Sequence, residues 1–254
     1  MEPRRELIKR ALGTLSTGIA GFEQALGSEI PNGSLIMLVG DSSSHHRSFA
    51  QQVMYNHVIS KGKVVYYSVE ESPLDILEDM QTFNWNIQSY LDDGSWLFVR
   101  VIPPTLQKIS ELLPELPYEA KLTVSSTSLD LLKQDILQKG KEGRWITLPL
   151  SYLLQNYEYR EIQELILYWL GIAHTYGGLH LILLNNGGIH EERIISSLEH
   201  NVDGVFKFEM RPRMGGAEGF LNVKKLRKTL VTLKQIGYVI SEGGIVIETL
   251  SRII

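Results

Sequence analysis

The strongest constraint on the fold is an alternation that runs along most of the chain. Apolar runs of strand length are separated by segments of helical periodicity. "SLIMLV" (34–39) precedes "RSFAQQVMYNHVISKG", read as a helix ended by Gly62. "KVVYYSV" (63–69) follows. Next is "SPLDILEDMQTFNW", where Ser72 predicts a helix cap and Pro73 the first helical residue. "SWLFVRVIP" (95–103), "RWITLPL" (144–150) and "LHLILLNN" continue the strands, with "EYREIQELILYWLGIAHTYG" as the helix before the last. Residues 105–142 read as helical but irregular, with an extra strand at "KLTVS". "VDGVFKFEM" (202–210), "GFLNVKKLR" (219–227), "IGYVIS" (236–241) and "GIVIETL" (244–250) close the chain as strands with hairpin-like turns. This order predicts an α/β fold. Its mostly parallel sheet carries helices on both faces and an antiparallel C-terminal extension. No repeat or linker divides it, so one domain is expected over 1–254. Ligands of such sheets sit at the carboxyl ends of the strands. The loops after Val39, Val69 and Leu150 are therefore expected to share a crevice where strand order allows.

Composition bounds the chemistry. The chain has no cysteine, which removes disulfides and thiolate zinc sites and fits a reducing, cytoplasmic setting. A formal charge of −4 gives no bulk attraction to nucleic acid or membrane. The start, "MEPRRELIKRAL", is too charged for a secretory signal. Leu165 to Leu184 is long and apolar, but His174, His180 and the Gly177-Gly178 pair mark it as helix, break and strand rather than a membrane span.

"LIMLVGDSSSHHRSFAQQV" has the outline of a phosphate loop: apolar strand, glycine, polar turn, helix. The working pattern is G-x-x-x-x-G-K-[ST]. Gly40 keeps the first glycine, and Asp41, Ser42, Ser43 and Ser44 fill the turn. His45 stands at the second glycine, His46 at the lysine and Arg47 at the hydroxyl residue. Histidine at a left-handed position is strained. Arginine repels magnesium. Two readings remain open: an altered anion site with His46 and Arg47 as cationic donors at a helix N-terminus, or a turn kept without nucleotide. Adjacent histidines diverge, so no metal site is expected at His45-His46.

Taken together, "LSTGIAGFEQALGSEIPNGSLIMLVGD", "VVYYSVEESPLDILEDMQTFNW" and "FLNVKKLRKT…IGYVISEGGIVIE" resemble the KaiC/RadA-like branch of the RecA-fold ATPases, which includes the archaellum accessory ATPase. The resemblance implies a RecA-like fold of the phosphate-loop NTPase type, with ATP held between neighbouring subunits of a ring or filament. It also implies an archaeal or bacterial cytoplasmic origin. Ser43 takes a place where the family usually has glycine. Aligned on Leu150-Ser151, the family's magnesium aspartate falls on Leu148. Glu70 and Glu71 match the paired glutamates that supply a base for hydrolysis, and here would be vestigial. Lys225-Leu226-Arg227 resembles a strand that projects a lysine and an arginine onto a neighbour's γ-phosphate in trans. Period two would put Lys225 and Arg227 on one face and Lys224 on the other. The 211–228 stretch carries +5, leaving −9 elsewhere, and its Arg211, Arg213, Lys224 and Lys228 form a candidate nucleic-acid patch.

The resulting expectation is a KaiC-like pseudo-ATPase. It would be a non-hydrolysing regulatory or scaffolding subunit that assembles with itself or with an active paralogue, and ATP, if bound, would lack a normal magnesium site. The alternatives are an ATP-binding protein with a rewired loop and weak activity, and a DNA-associated RadA-like recombinase paralogue.

Overall fold

A computed structural model of the chain describes residues 13–213, 216–231 and 233–248. The first elements are β1 (Thr14–Leu15), α1 (Phe22–Leu26), β2 (Ile30–Pro31), β3 (Ser34–Gly40), α2 (His46–Ile59), β4 (Val64–Ser68), α3 (Pro73–Thr82), α4 (Gln88–Asp92) and β5 (Trp96–Ile102). A 3-10 turn (Pro104–Leu106), α5 (Gln107–Ser110), β6 (Glu119–Thr123), α6 (Asp130–Lys141), β7 (Trp145–Pro149), α7 (Ser151–Asn156) and α8 (Tyr159–Tyr176) follow. The chain continues through β8 (Leu179–Asn185), α9 (Glu192–Asn201), β9 (Gly204–Arg213), β10 (Gly216–Leu226), β11 (Lys234–Ser241) and β12 (Gly244–Ile247).

Ten strands form one sheet in the order β12-β11-β10-β9-β3-β8-β7-β4-β5-β6, and β1 pairs with β2 in a separate ribbon. From β9 across to β6 every pairing is parallel. The pairings of β10, β11 and β12 are antiparallel. This is the expected mostly parallel α/β sheet with an antiparallel C-terminal wing. The irregular 105–142 segment contributes β6, the strand expected at "KLTVS", to the other edge.

Consecutive strand residues point to opposite faces, so each central strand feeds two cores. Ile36, Leu38, Tyr66, Phe98, Leu183 and Phe206 pack with Phe49, Val53 and Met54 of α2. Met37, Val39, Val65, Leu148, Leu184 and Val205 pack on the other face with Ile136 of α6 and Trp169 of α8. Burial on both faces is why these strands read as continuous apolar runs.

One local expectation changed in detail. Helix α2 ends at Ile59, and Lys61 (φ 66), not Gly62, takes the left-handed turn. Gly62 is required for another reason: a Cβ there would overlap the ring of His57, which stacks 3.6 Å from Trp145. Ser72 and Pro73 open α3 as expected, and Asp75 completes a reciprocal capping box with Ser72. Residues 165–184 divide into α8, a left-handed Gly177 (φ 79) and β8. No described helix is long and apolar enough to cross a membrane.

Candidate functional site at the loop after β3

The strand order puts the ends of β3, β8, β7 and β4 side by side. The three loops expected to share a crevice do so: His46, Arg47, Glu70, Pro149, Ser151 and Asn185 line a water-sized cavity of about 10 Å³ at that end. Beside it, a larger hollow of ≈ 360 Å³ opens between the loop and α3, walled by Ser42, His45, Arg47, Asp79, Phe83 and Asn185.

The loop keeps the backbone of a phosphate loop. His45 sits at φ 53, ψ 22, left-handed, where the working pattern has glycine. Gly40 is obligatory, because a Cβ there would overlap Ser44 Oγ and lie 2.8 Å from His46 Nδ1. Asp41 holds the turn: its carboxylate accepts from Ser43 N–H at 2.9 Å and from the Ser43 hydroxyl at 2.7 Å. From the far end of the chain, the Tyr238 hydroxyl donates to Ser44 O at 2.5 Å.

His46 departs from the expected cationic donor. Its side chain is 2% exposed and turns back under Gly40. Burial, then Arg47, lower its pKa to about 4, so it is neutral at pH 7. The Ser44 hydroxyl spends its one proton on Asp41 O at 2.8 Å. The 3.0 Å contact between Ser44 Oγ and His46 Nδ1 is therefore donated by the imidazole. Nε2 is left as a bare lone pair, with no partner among the described residues. Where the working pattern places an ammonium, this loop holds a buried, neutral imidazole.

Arg47 is also engaged. Its guanidinium forms an ion pair with Glu71. Glu70 faces the same crevice; burial raises its pKa and Arg47 opposes the rise. Asp79 on α3 behaves alike, raised by burial and lowered by Arg47. One arginine thus stands among three carboxylates.

Leu148, aligned with the family's magnesium aspartate, is a core residue. It is fully buried among the apolar side chains of the opposite face, beneath α8, and does not reach the crevice. The last residue of β7 on the loop's face is Pro149, which lines the small cavity. The two neighbours differ because successive strand residues take opposite faces. A magnesium-bound triphosphate requires an oxygen ligand for the metal and a cationic donor for the phosphates. The positions that would supply them present a guanidinium, the apolar Leu148-Pro149 pair and a buried, neutral imidazole, and do not fit that group. Among the described residues no cluster of three or more His, Asp or Glu side chains could hold a metal ion, His45 and His46 included.

The basic residues of the last strands do not form one patch. Arg211 pairs with Glu218 in the β9–β10 register, and Lys225 comes seven residues later, about 23 Å along the sheet. Arg211 stacks over Phe220 at 4.5 Å and pairs with Glu209, while Arg213 ends β9. Lys228 lies at the far end of β10, in a left-handed conformation (φ 62).

The alternation expected at Lys224-Lys225 fails, because a β-bulge shifts the register between Val223 and Lys225. Both lysines turn toward α9. Lys224 pairs with Glu199 at 2.7 Å, alongside Lys207 at 2.9 Å. Lys225 donates to the carbonyls of Glu199, His200 and Val202 at 3.1, 3.0 and 2.5 Å, capping the C-terminus of α9. Arg227 reaches His200 O at 3.3 Å and lies 3.8 Å from Asp203. These groups sit at the amino ends of the strands, away from the chain's own loop.

Sequence reasoning missed Pro149, Ser151, Asp79, Asn185 and Tyr238. Asn185 ends an apolar strand and was visible as a polar break. Ser151 Oγ accepts from its N–H at 2.8 Å. Tyr238 carried no local signal.

The profile described as "ATPase: KaiC" matches residues 15–252. A UPF0273 protein of Pyrococcus furiosus is 23% identical over 234 residues, 92% of this chain and 93% of that one. A circadian clock oscillator protein KaiC of Thermosynechococcus vestitus is 31% identical over 90 residues, 35% of this chain and 17% of the other. The solved structure of a KaiC-like protein from Pyrococcus horikoshii superposes with a TM-score of 0.72 at 18% identity, covering 94% of this chain and 100% of that one. With its sheet order, its loop geometry and a profile match over nearly its whole length, the chain belongs to the KaiC ATPase family.

Proposed function

We propose that this chain is a non-hydrolysing member of the family, a regulatory or scaffolding subunit that assembles with itself or with an ATP-hydrolysing paralogue. The observation that carries the reading is the reversed polarity of the loop. A triphosphate is all acceptors and needs donors around it. Here His46 is buried and neutral, Arg47 is tied to Glu71, and Glu70 and Asp79 add carboxylates. Pro149 offers no carboxylate for magnesium. Glu70 and Glu71 then have no bound phosphate to serve with an activated water.

Phosphate release by the purified protein, with and without magnesium, tests this. The expected rate equals the buffer blank, and turnover abolished by Glu70→Gln or Glu71→Gln sinks the reading.

A second reading, nucleotide binding without turnover, draws on one observation: the loop backbone and the 14-residue helix behind it are retained. Titration with a non-hydrolysable ATP analogue separates the two. Saturable binding lost in Arg47→Ala favours the second. The DNA-associated reading depended on one contiguous basic patch, and the spacing of Arg211 from Lys225 argues against it.

A further inference from the structure

The tyrosine that holds the loop after β3 has a sulfur beside it. Met210 of β9, Gly219 of β10 and Tyr238 of β11 stand directly opposite one another, so all three take the same face of the sheet. Gly219 is required there, because a Cβ would lie 2.3 Å from the Tyr238 ring. The ring lies over β10 in the space the glycine leaves. Strand β9 outruns β3, since Lys207 is level with Val39, and Met210 stands beyond that level, beside the loop. The Tyr238 hydroxyl thus has two acceptors in reach: Ser44 O at 2.5 Å and Met210 Sδ at 3.7 Å. A phenol has one proton to donate, and a thioether sulfur is a weak acceptor, so the carbonyl takes it.

Met210 is also the accessible sulfur. The chain has six methionines and no cysteine, so any oxidation at sulfur falls on methionine. Met37, Met54 and Met80 are each 0% exposed. Met210 is only partly buried, at the margin of the core. Met1 and Met214 lie outside the described residues.

We propose that Met210 is an oxidation site whose sulfoxide draws the Tyr238 hydrogen bond away from Ser44 and loosens the 41–47 loop. The oxidant is a peroxide. The sulfur lone pair attacks one peroxide oxygen, the O–O bond breaks and an S–O bond forms. The proton on the transferred oxygen passes to the departing hydroxide, which leaves as water. Sulfur gives up an electron pair and the peroxide accepts it. The product is a polar group where an apolar one stood. A sulfoxide oxygen against apolar side chains needs a donor, and the Tyr238 hydroxyl is the donor at hand. Methionine's unbranched chain lets the oxygen turn to meet it. Ser44 O then loses its clasp, while the Asp41 bonds to Ser43 stay. A methionine sulfoxide reductase reverses the change. The switch acts on the loop backbone, and so acts alike whether or not the loop binds nucleotide.

The test exposes the full chain to dilute hydrogen peroxide, maps oxidation by peptide mass spectrometry and follows amide exchange in the 41–47 loop. Trypsin cuts after Arg213, so Met210 and Met214 fall on different peptides. The Met210 peptide should gain one oxygen while those holding Met37, Met54 and Met80 do not. Loop exchange should quicken about fivefold, the loss of one hydrogen bond, and return after treatment with the reductase. Met210→Leu, a swap that conserves volume, should leave the loop indifferent to peroxide. Tyr238→Phe should exchange fast from the start and gain nothing more. Circular dichroism checks the fold of both variants, and the parent's own map and exchange stand without them. Peroxide that oxidises a free methionine peptide but spares Met210 overturns the site. Met210 sulfoxide with an unchanged loop overturns the transfer of the bond. A loop that loosens equally in Met210→Leu places the oxidation elsewhere and overturns both.

Discussion

Replacing Lys225 by methionine separates a helix cap from a free cation. All three N–H donors of the ammonium are used, on carbonyls at 3.1, 3.0 and 2.5 Å. These carbonyls belong to the end of α9 and the residue that follows it, where helix amides point no further donors. A hydrogen bond to a charged group contributes about 1.5–3 kcal/mol, and a cation at a helix C-terminus about 0.3–1 kcal/mol. Burial lowers the lysine's pKa, so making these contacts already costs desolvation. The rim is partly open, and water recovers some of the carbonyls once the ammonium is gone. The expected loss in Lys225→Met is about 2 kcal/mol. Urea unfolding reads it as a lowered midpoint at unchanged slope. Lys228→Met, on an exposed turn, is the control and should stay within about 0.5 kcal/mol of the parent. A Lys225→Met protein as stable as that control would refute the cap and return Lys225 to the role of a cation held ready for a neighbour.

Leu148→Asp should prevent folding or cost about 4 kcal/mol or more by burying an unpaired charge, whereas Pro149→Asp, at the crevice, should fold with a melting temperature near the parent's; thermal melts compare the two. His46 and His180 are both held neutral in the fold with pKa values of about 4. Their folded values lie below the unfolded one, so the stability is present above about pH 6.5 and is lost as pH falls toward 4, by about 3 kcal/mol for each; urea midpoints should fall accordingly across that range, and His46→Gln should remove its share of the pH dependence. Tyr238→Phe deletes the bond to Ser44 O and should cost about 1 kcal/mol, with faster amide exchange in the 41–47 loop.

The legibility of this chain in its sequence follows the range of each signal. Strands β3, β4, β5, β7 and β8 were visible because burial on both faces makes them continuous apolar runs. The start of α3 was visible because Ser72 and Pro73 act on adjacent residues, and the structure adds Asp75 to the cap. Leu148 was legible as a core residue from its apolar run, but which face of β7 it takes was not, because neighbouring strand residues alternate. The Lys224-Lys225 alternation failed at a bulge, which sequence period cannot see. The loop's outline was legible from strand, glycine and helix. Its chemistry was not, since the orientation of His46 depends on Ser44 Oγ, on Phe208 6.5 Å away and on the tyrosine that holds Ser44 O.

That tyrosine has a consequence for how the protein is made. Tyr238 is 194 residues beyond the Ser44 carbonyl it holds, and Gln52 of α2 exchanges hydrogen bonds with Ile245, 193 residues on. On a ribosome adding about 5–20 residues per second, the interval between synthesis of the loop and of its clasp is roughly 10–40 s. The segment encoded near the beginning is thus among the last to be finished. During that interval the turn from Asp41 to Arg47 lacks its outer strut, and any ligand or chaperone that recognises the loop in its open form has this window in which to act.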